Sequence, residues 1–562
     1  MAVGDVVTVT QGPFENFSGS IVRESGDSVV VALSIFGRTT EVTVTRSQLS
    51  STILTFDEME AEVVEAVARR GFRQRLFGFW EDEVVRTPQR SEAELASACL
   101  TFEAEVLREQ EAAQQEELAR FRAAFQPLDS AARTAKWRAE RETWTSWRSG
   151  VRAVSEARDL ARFGALDEEA RSRESRRVAD LAHELRGRVE AWHRKHALGT
   201  PAPTEPRNDA LEAEIDRDID NDAPFLVYAD WLLSQGNRRG ELIALSGKAQ
   251  EKPLLDRLTT QLLGGLRGFE DALEAKWRLG FLESMKLETT RADEGDGINV
   301  VQLLDTALQL TSTRFLRELT IACPSVHEEQ MVPRMTAAFA SWGVHPSMRS
   351  LSFITNEEEE MLSWTGAGEL GGYGQLFPNL QSLSVHAGDF SFTDPRFPKL
   401  ESLVVQTCRV TAKDLQALID ADWPELDELE LWFGSRSYGV DITVEQLVPL
   451  LQSPRLPKLR SLSLCNCEFM DELCGAVLAS PLLPQLRSLS LKLGTMSDDG
   501  ANALLAGAEK LRGLELLDVD DNYLSAESLG ALQQALPVTR SKEQRVAEEY
   551  EGALRRYASV GE

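Results

Sequence analysis

The sequence predicts a multidomain fold: a small all-β barrel, an α-helical middle and a C-terminal α/β solenoid of repeated units. Three observations predict it. Residues 3–49 alternate apolar and polar side chains in short runs, with turns at Gly12-Pro13 and Ser25-Gly26-Asp27. From Phe56 to about Leu198, Gly and Pro become sparse while Ala, Glu, Arg and Leu dominate. Between Leu316 and Val519, eight segments then repeat an apolar residue, a second three positions on and a third two further.

At 562 residues the chain is too long for one core and should divide into several domains. Neither a basic, apolar, cleavable N-terminus nor a run of 18 apolar residues is present, which argues against a signal peptide and a membrane span. The six cysteines show no disulfide framework, so a reduced cytoplasmic setting is expected. The formal net charge is -29, and almost all the excess acid follows residue 200. Binding to a phosphate backbone needs clustered Lys and Arg, so direct nucleic-acid binding is not expected.

Residues 1–55 are assigned to the barrel. Its strands are read at Val6–Val9, Gly19–Arg23, Val29–Leu33 and Val42–Val44, within a five-stranded unit. Gly4-Asp5-Val6-Val7, Gly12-Pro13-Phe14, Phe17, Gly19 and Ser34-Ile35-Phe36-Gly37-Arg38 together resemble the SH3-like KOW domain that ends bacterial NusG transcription factors. The resemblance implies that two loops at one end grip a protein partner, in that family a small-subunit ribosomal protein or the Rho terminator. The matching loop residues are Phe14, Phe17, Ile35, Phe36 and Arg38. In that family a polymerase-binding domain normally precedes this unit; none is read before it here, so a role as a general elongation factor is not expected.

Residues 56–199 are read as three or four long helices folded back on one another, with breaks at Pro88, Pro127 and Gly150. Leu95, Cys99, Phe102 and Val106 follow helical spacing, and Trp137, Trp144 and Trp147 are read as helix core. His193 and His196 lie on one helix face without further ligands, so they are read as solvated rather than metal-binding.

Thr200-Pro-Ala-Pro-Thr-Glu-Pro206 is a linker, and residues 207–279 form a short helical module. Its core, Tyr228-Ala-Asp-Trp-Leu232, resembles a module that accompanies repeat arrays in some bacterial proteins. Trp231 is expected to pack it near Trp277. The stretch Trp277–Leu282, with Met285 and Leu287, should form a capping first repeat, because an open solenoid end would leave its core in water.

Residues 280–540 form the solenoid and 541–562 a helical tail. The eight segments begin at Leu316, Met348, Leu380, Leu400, Leu426, Leu459, Leu486 and Leu514, spaced by 20 to 33 residues. Three positions after the last anchor stand Pro324, Asn356, Gly388, Cys408, Gly434, Cys467, Gly494 and Asn522. In this slot Asn or Cys turns the chain and bonds the neighbouring coil, and Gly permits the same turn. The pattern resembles the leucine-rich repeat family, which implies a horseshoe whose concave face binds proteins. The residues just after the third anchor line that face and include His386, Gln406, Trp432 and Cys465. Phe433 adjoins Trp432, and Glu428 and Glu430 share its strand, so an apolar partner surface with a basic rim is expected.

Catalytic and cofactor motifs fail on inspection. Asp216-x-Asp218-x-Asp220 opens like a calcium loop, but Asn221 and Val227 stand where Gly and Glu are needed. Asp518-x-Asp520-x-Asn522 fails likewise at Tyr523 and Leu529, and Ser246-Gly247-Lys248 lacks the upstream Gly and the hydroxyl of a phosphate loop. The sequence is read as a non-enzymatic cytoplasmic adaptor without cofactor or metal. The alternative is a transcription- or translation-associated factor that contacts the ribosome or Rho through its N-terminal domain.

Overall fold

The computed structural model describes residues 6–9, 14, 18–26, 28–35, 38–51, 55–69, 72–86, 88–146, 157–158, 160–198, 204–248, 250–289, 298–325, 330–355, 361–550 and 553–560. Two compact units emerge, one of residues 1–193 with 245–259 and the other of 194–244 with 260–562.

In the first unit, β1 (Val6–Val9), β2 (Ser18–Ser25), β3 (Ser28–Ile35), β4 (Arg38–Thr45) and β5 (Leu49–Ser51) form a five-stranded sheet in the order β4-β3-β2-β1-β5. All its pairings are antiparallel. Period-two alternation places Val7, Val9, Ile21, Val29, Val31, Leu33, Val42, Val44 and Leu49 on one buried face.

Helices Phe56–Arg69, Phe72–Val85, Glu92–Phe125, Ser130–Thr145 and Glu168–Ala197 follow. Pro88 and Pro127 both fall between helices, where the missing N–H and the ring clash stop a helix; Gly150 lies outside the described residues. Ser91 caps the long third helix by accepting from Glu94 N, and Glu94 returns the bond to Ser91 N. Phe121 and Phe125 stack 4.5 Å apart, with Trp137 edge-on to both, and Trp144 packs on the same cluster. Trp137 and Trp144 are therefore core residues; Trp147 lies outside the described residues.

The second unit is mixed α/β around an eleven-stranded, mostly parallel sheet whose strands follow one another in chain order, with β10 (Gly366–Glu369) and β12 (Asp389–Ser391) pairing separately. It opens with a hairpin of β6 (Leu273–Arg278) and β7 (Phe281–Leu287), the antiparallel pair at that edge. Met285 of β7 pairs with Leu319, so the expected capping repeat occupies the edge in register with its neighbours.

The repeated segments become β8 (Glu318–Ala322), β9 (Ser350–Ile354), β11 (Ser382–His386), β13 (Ser402–Gln406), β14 (Glu428–Trp432), β15 (Ser461–Cys465), β16 (Ser488–Ser490) and β17 (Leu516–Asp518). Their central anchors pair as one unbroken row: Leu319, Leu351, Leu383, Leu403, Leu429, Leu462, Leu489 and Leu517. None is more than 3% exposed, so truncating any to Ala costs about 2–5 kcal/mol. Helices such as Ala412–Asp420, Val444–Leu451, Met470–Leu478 and Asp498–Ala506 return the chain between strands and share the core.

The turn slot behaves as its chemistry requires. The Asn522 amide donates to the carbonyls of Leu491, Val519 and Asp520 and accepts from Met496 N, tying adjacent coils. Gly434 has φ +87, and a Cβ there would stand 1.7 Å from the Cys408 carbonyl oxygen, so no other residue fits. Asn356 lies outside the described residues. All six cysteines are buried thiols outside any disulfide, and burial pushes the Cys474 thiol up to about 12.

The expected helical tail is not formed. After β18 (Thr539–Arg540), β19 (Glu548–Tyr550) and β20 (Ala553–Arg555) pair as an antiparallel ribbon. Helix-forming Ala, Glu and Arg predominate here, but hydrogen bonds to the turns of the last repeats override that preference.

Candidate functional site

Along β9, β11, β13 and β14, buried anchors alternate with half-buried residues that face away from the helices. His386, Gln406 and Trp432 end three neighbouring strands on that outer face, with Glu428 and Glu430 beside them. One carboxylate organises the group. Glu430 Oε1 accepts from Gln406 Nε2 at 2.8 Å and from Trp432 Nε1 at 2.7 Å. The His386 ring stands edge-on to the Trp432 indole, 6.2 Å between centroids at 88°. Glu428 Oε2 accepts from Ser402 Oγ at 2.7 Å. The indole is therefore oriented before any partner arrives, which lowers the entropy a contact must offset.

Two neighbours expected in this patch are not in it. Phe433 is fully buried and packs edge-on to Phe469, because consecutive residues of an extended chain face opposite ways and Trp432 already faces out. Cys465 pairs with Trp432 in register but is wholly covered, its sulfur 3.5 Å from Ser490 Oγ, and burial pushes its thiol up to about 12. Ser463, Ser490 and Asp518 are also buried, so the face is widest on β9, β11, β13 and β14 and narrows from β15, where Ser461, Ser488 and Leu516 stay half-buried.

Among the N-terminal loop residues, Phe14 is half-buried and packs on the sheet core rather than facing solvent. Ile35 and Arg38 pair at the end of the β3–β4 hairpin, and Phe17 and Phe36 lie outside the described residues.

The helical module of the second unit is built around Arg239, which no sequence motif marks, and Tyr228 of the quoted motif. Arg239 is 2% exposed; its guanidinium binds both Glu205 oxygens at 2.5 and 2.9 Å, the Gly280 carbonyl and Ser312 Oγ, and lies over the Phe281 ring. Burial would raise the Glu205 carboxyl, but the Arg239 hydrogen bonds and charge hold it below the usual range. Glu205, read as linker, is thus an anchor of the fold. Tyr228 is fully buried, donating to Glu212 Oε1 at 2.9 Å and accepting from Arg314 at 2.6 Å. Trp231 stacks on Tyr228 from the partly exposed side, and Trp277 packs in a different cluster, so the expected Trp231–Trp277 packing gives way to Trp231–Tyr228.

Asp216, the first acid of the failed calcium motif, has its carboxyl pushed up to about 6, by burial first and then by the neighbouring Glu212 charge; Arg349 and Arg207 oppose the shift. The folded state therefore holds this proton more tightly than the unfolded chain. Asp216 costs no stability below the unfolded value, and its penalty grows as pH rises towards 6 and is complete above it. Asp216→Asn should then raise the melting temperature at pH 7.5 and leave it unchanged at pH 4. Equal gains at both pH values would refute the assignment.

Among the described residues no group of three or more His, Cys, Asp or Glu side chains is placed to hold a metal ion, and no helix is long and apolar enough to cross a membrane. No protein-family description matches the sequence, and no curated protein matches it. A Bacteroides fragilis protein of known structure is similar over 50% of this chain and 76% of its own, at 23% identity and a TM-score of 0.41. A Leptospira interrogans LRR protein is similar over 42% of this chain and 92% of its own, at 12% identity and a TM-score of 0.14. Neither likeness bears on function.

Proposed function

We propose that the chain is a non-enzymatic adaptor of leucine-rich-repeat type that binds a protein through the outer face of β11, β13 and β14. The observation that carries this reading is Trp432, an aromatic ring held by Glu430 on a face where the core does not need it. Partly buried, rigid aromatics are the common energetic centres of protein interfaces, and the acids beside this one favour a basic rim on the partner. The N-terminal sheet supplies a second docking surface, a reading supported by its KOW-like sequence and its antiparallel strand order. Contact with a ribosomal protein or Rho is the family-derived form of that reading.

The test is kinetic. With a partner captured from the native host, Trp432→Ala should speed dissociation by about 10- to 30-fold, as losing about 1.4–2 kcal/mol requires, with little change in melting temperature. Glu430→Lys should slow association at low salt and also loosen the indole it orients. An unchanged dissociation rate, or a melting temperature lowered by many degrees, would place the ring in the core and remove the proposed face.

A further inference from the structure

Two residues past the third anchor, the last three repeats turn through the left-handed region at Asn466, Leu493 and Asp521, with φ of +50, +65 and +52. For Leu493 such a conformation is costly, so surrounding contacts must hold it. The three turns follow the C-terminal ends of β15, β16 and β17 in a row, and the segment Arg556–Val560 lies across that row.

The contacts are regular. Tyr557 N donates to the Tyr523 hydroxyl at 3.0 Å, and that hydroxyl donates to the Tyr557 carbonyl at 3.2 Å. Ser559 N donates to the Leu493 carbonyl at 2.9 Å, and Ser559 Oγ donates to Asp521. The Asn466 side-chain amide takes both main-chain groups of Val560, accepting from its N at 2.9 Å and donating to its carbonyl at 2.8 Å. Arg556 reaches Asp471 at 3.0 Å and the Thr495 carbonyl at 2.9 Å. Arg545 closes the other side, bridging the Tyr557 carbonyl at 2.8 Å to the Gly494 and Asp521 carbonyls at 2.6 and 3.0 Å.

Spacing explains the fit. An extended chain advances about 3.3 Å per residue and parallel strands stand about 4.8 Å apart, so three residues span about 10 Å, equal to two repeats. Tyr557 accordingly sits at the last repeat and Val560 at the third from last. Asn466 is wholly buried, and both of its hydrogen-bonding ends are used on the segment. Its identity at this turn is what a reader of peptide main chain requires, since one side-chain amide can match the N–H and the C=O of one residue.

We infer that this row of turns is a binding site for an extended peptide carrying a cation three residues before a hydroxyl side chain, filled here in cis by Arg556–Val560. Most bonds go to main-chain groups, which would give affinity to any extended chain. Asp471 and Asp521 then select the Arg and the Ser. The site is separate from the Trp432 face and does not depend on it. Because the resident segment is tethered, it competes at an effective concentration in the millimolar range, and an outside peptide meets a closed site.

The test uses the full chain with Ser559→Pro and Val560→Pro together, which removes three of the donors that seat the segment, two main-chain N–H groups and the Ser559 hydroxyl. The probe is a fluorescent peptide of residues 553–562, with its scrambled sequence as control. The released variant should bind the peptide saturably and not the scramble, and the native chain should bind at least tenfold more weakly. Equal binding to both proteins, or none to the released variant, would overturn the inference. If the released variant fails to fold by circular dichroism, hydrogen exchange on the native chain decides. Slow exchange at the Ser559 and Val560 amides that becomes fast in Asn466→Gly supports the site, since Gly keeps the left-handed turn and removes both the oxygen that accepts from Val560 N and the donor to its carbonyl. Fast exchange in the native chain overturns it.

Discussion

Arg239→Met should destabilise the repeat unit by about 3–5 kcal/mol, because it leaves the Glu205 carboxylate enclosed without its cation. The side chains of the pair are 1% and 9% exposed, so water cannot replace the lost partner fully. The same residue also gives up its bonds to Gly280 and Ser312, which join the helical module to the first strands of the sheet. Removing both charges is a different experiment. Met at 239 with Gln at 205 should recover much of the loss, since an enclosed ion pair often contributes little against well-packed neutral groups. Urea midpoints of the three proteins measure this. A single-variant loss below about 1 kcal/mol, with no recovery in the double, would show that water reaches the site.

Tyr228→Ala should cost a similar amount, about 3–5 kcal/mol, as a large-to-small change at a fully buried ring whose hydroxyl joins Glu212 to Arg314. Trp231→Ala should cost less, about 1–2 kcal/mol, because part of that ring is already in water. The order is what the account depends on. It reverses the expectation from sequence, where the larger tryptophan looked like the packing centre. Thermal unfolding that finds Trp231 the costlier of the two would return it to that role.

The repeats were legible because their signal is periodic. Eight anchors chosen by spacing alone pair in one row, and chance would not place a slip-free register across seven strand boundaries. Trp432, Gln406, His386 and Glu430 were legible for the same reason, as fixed offsets from those anchors. Phe433 was misread by adjacency, although the alternation that exposes its neighbour requires it to be buried. Cys465 holds an outward position, but the face narrows from its strand onward, and no offset along the chain reports that.

Glu205 and Arg239 were not legible. They lie 34 residues apart, one in a Pro-rich stretch that looks solvated, and only tertiary packing makes them partners. The 556–560 segment was hidden in a run whose residues favour helix, and it is held mostly through its own main-chain groups, which no side-chain pattern announces. The turn at Asn466 left the one available trace, an Asn directly before the Cys467 slot.

The proposed adaptor role requires a protein docked on the outer face of β11, β13 and β14. A photo-reactive phenylalanine analogue at Gln406, compared in the native host with the same analogue at Lys413, tests it most directly. Lys413 is exposed on helix Ala412–Asp420, which packs against the sheet's other face in the same repeat. Irradiation should give a discrete protein adduct from position 406 that Trp432→Ala diminishes, and none from position 413. No adduct at 406, or equal adducts at both positions, would contradict the account.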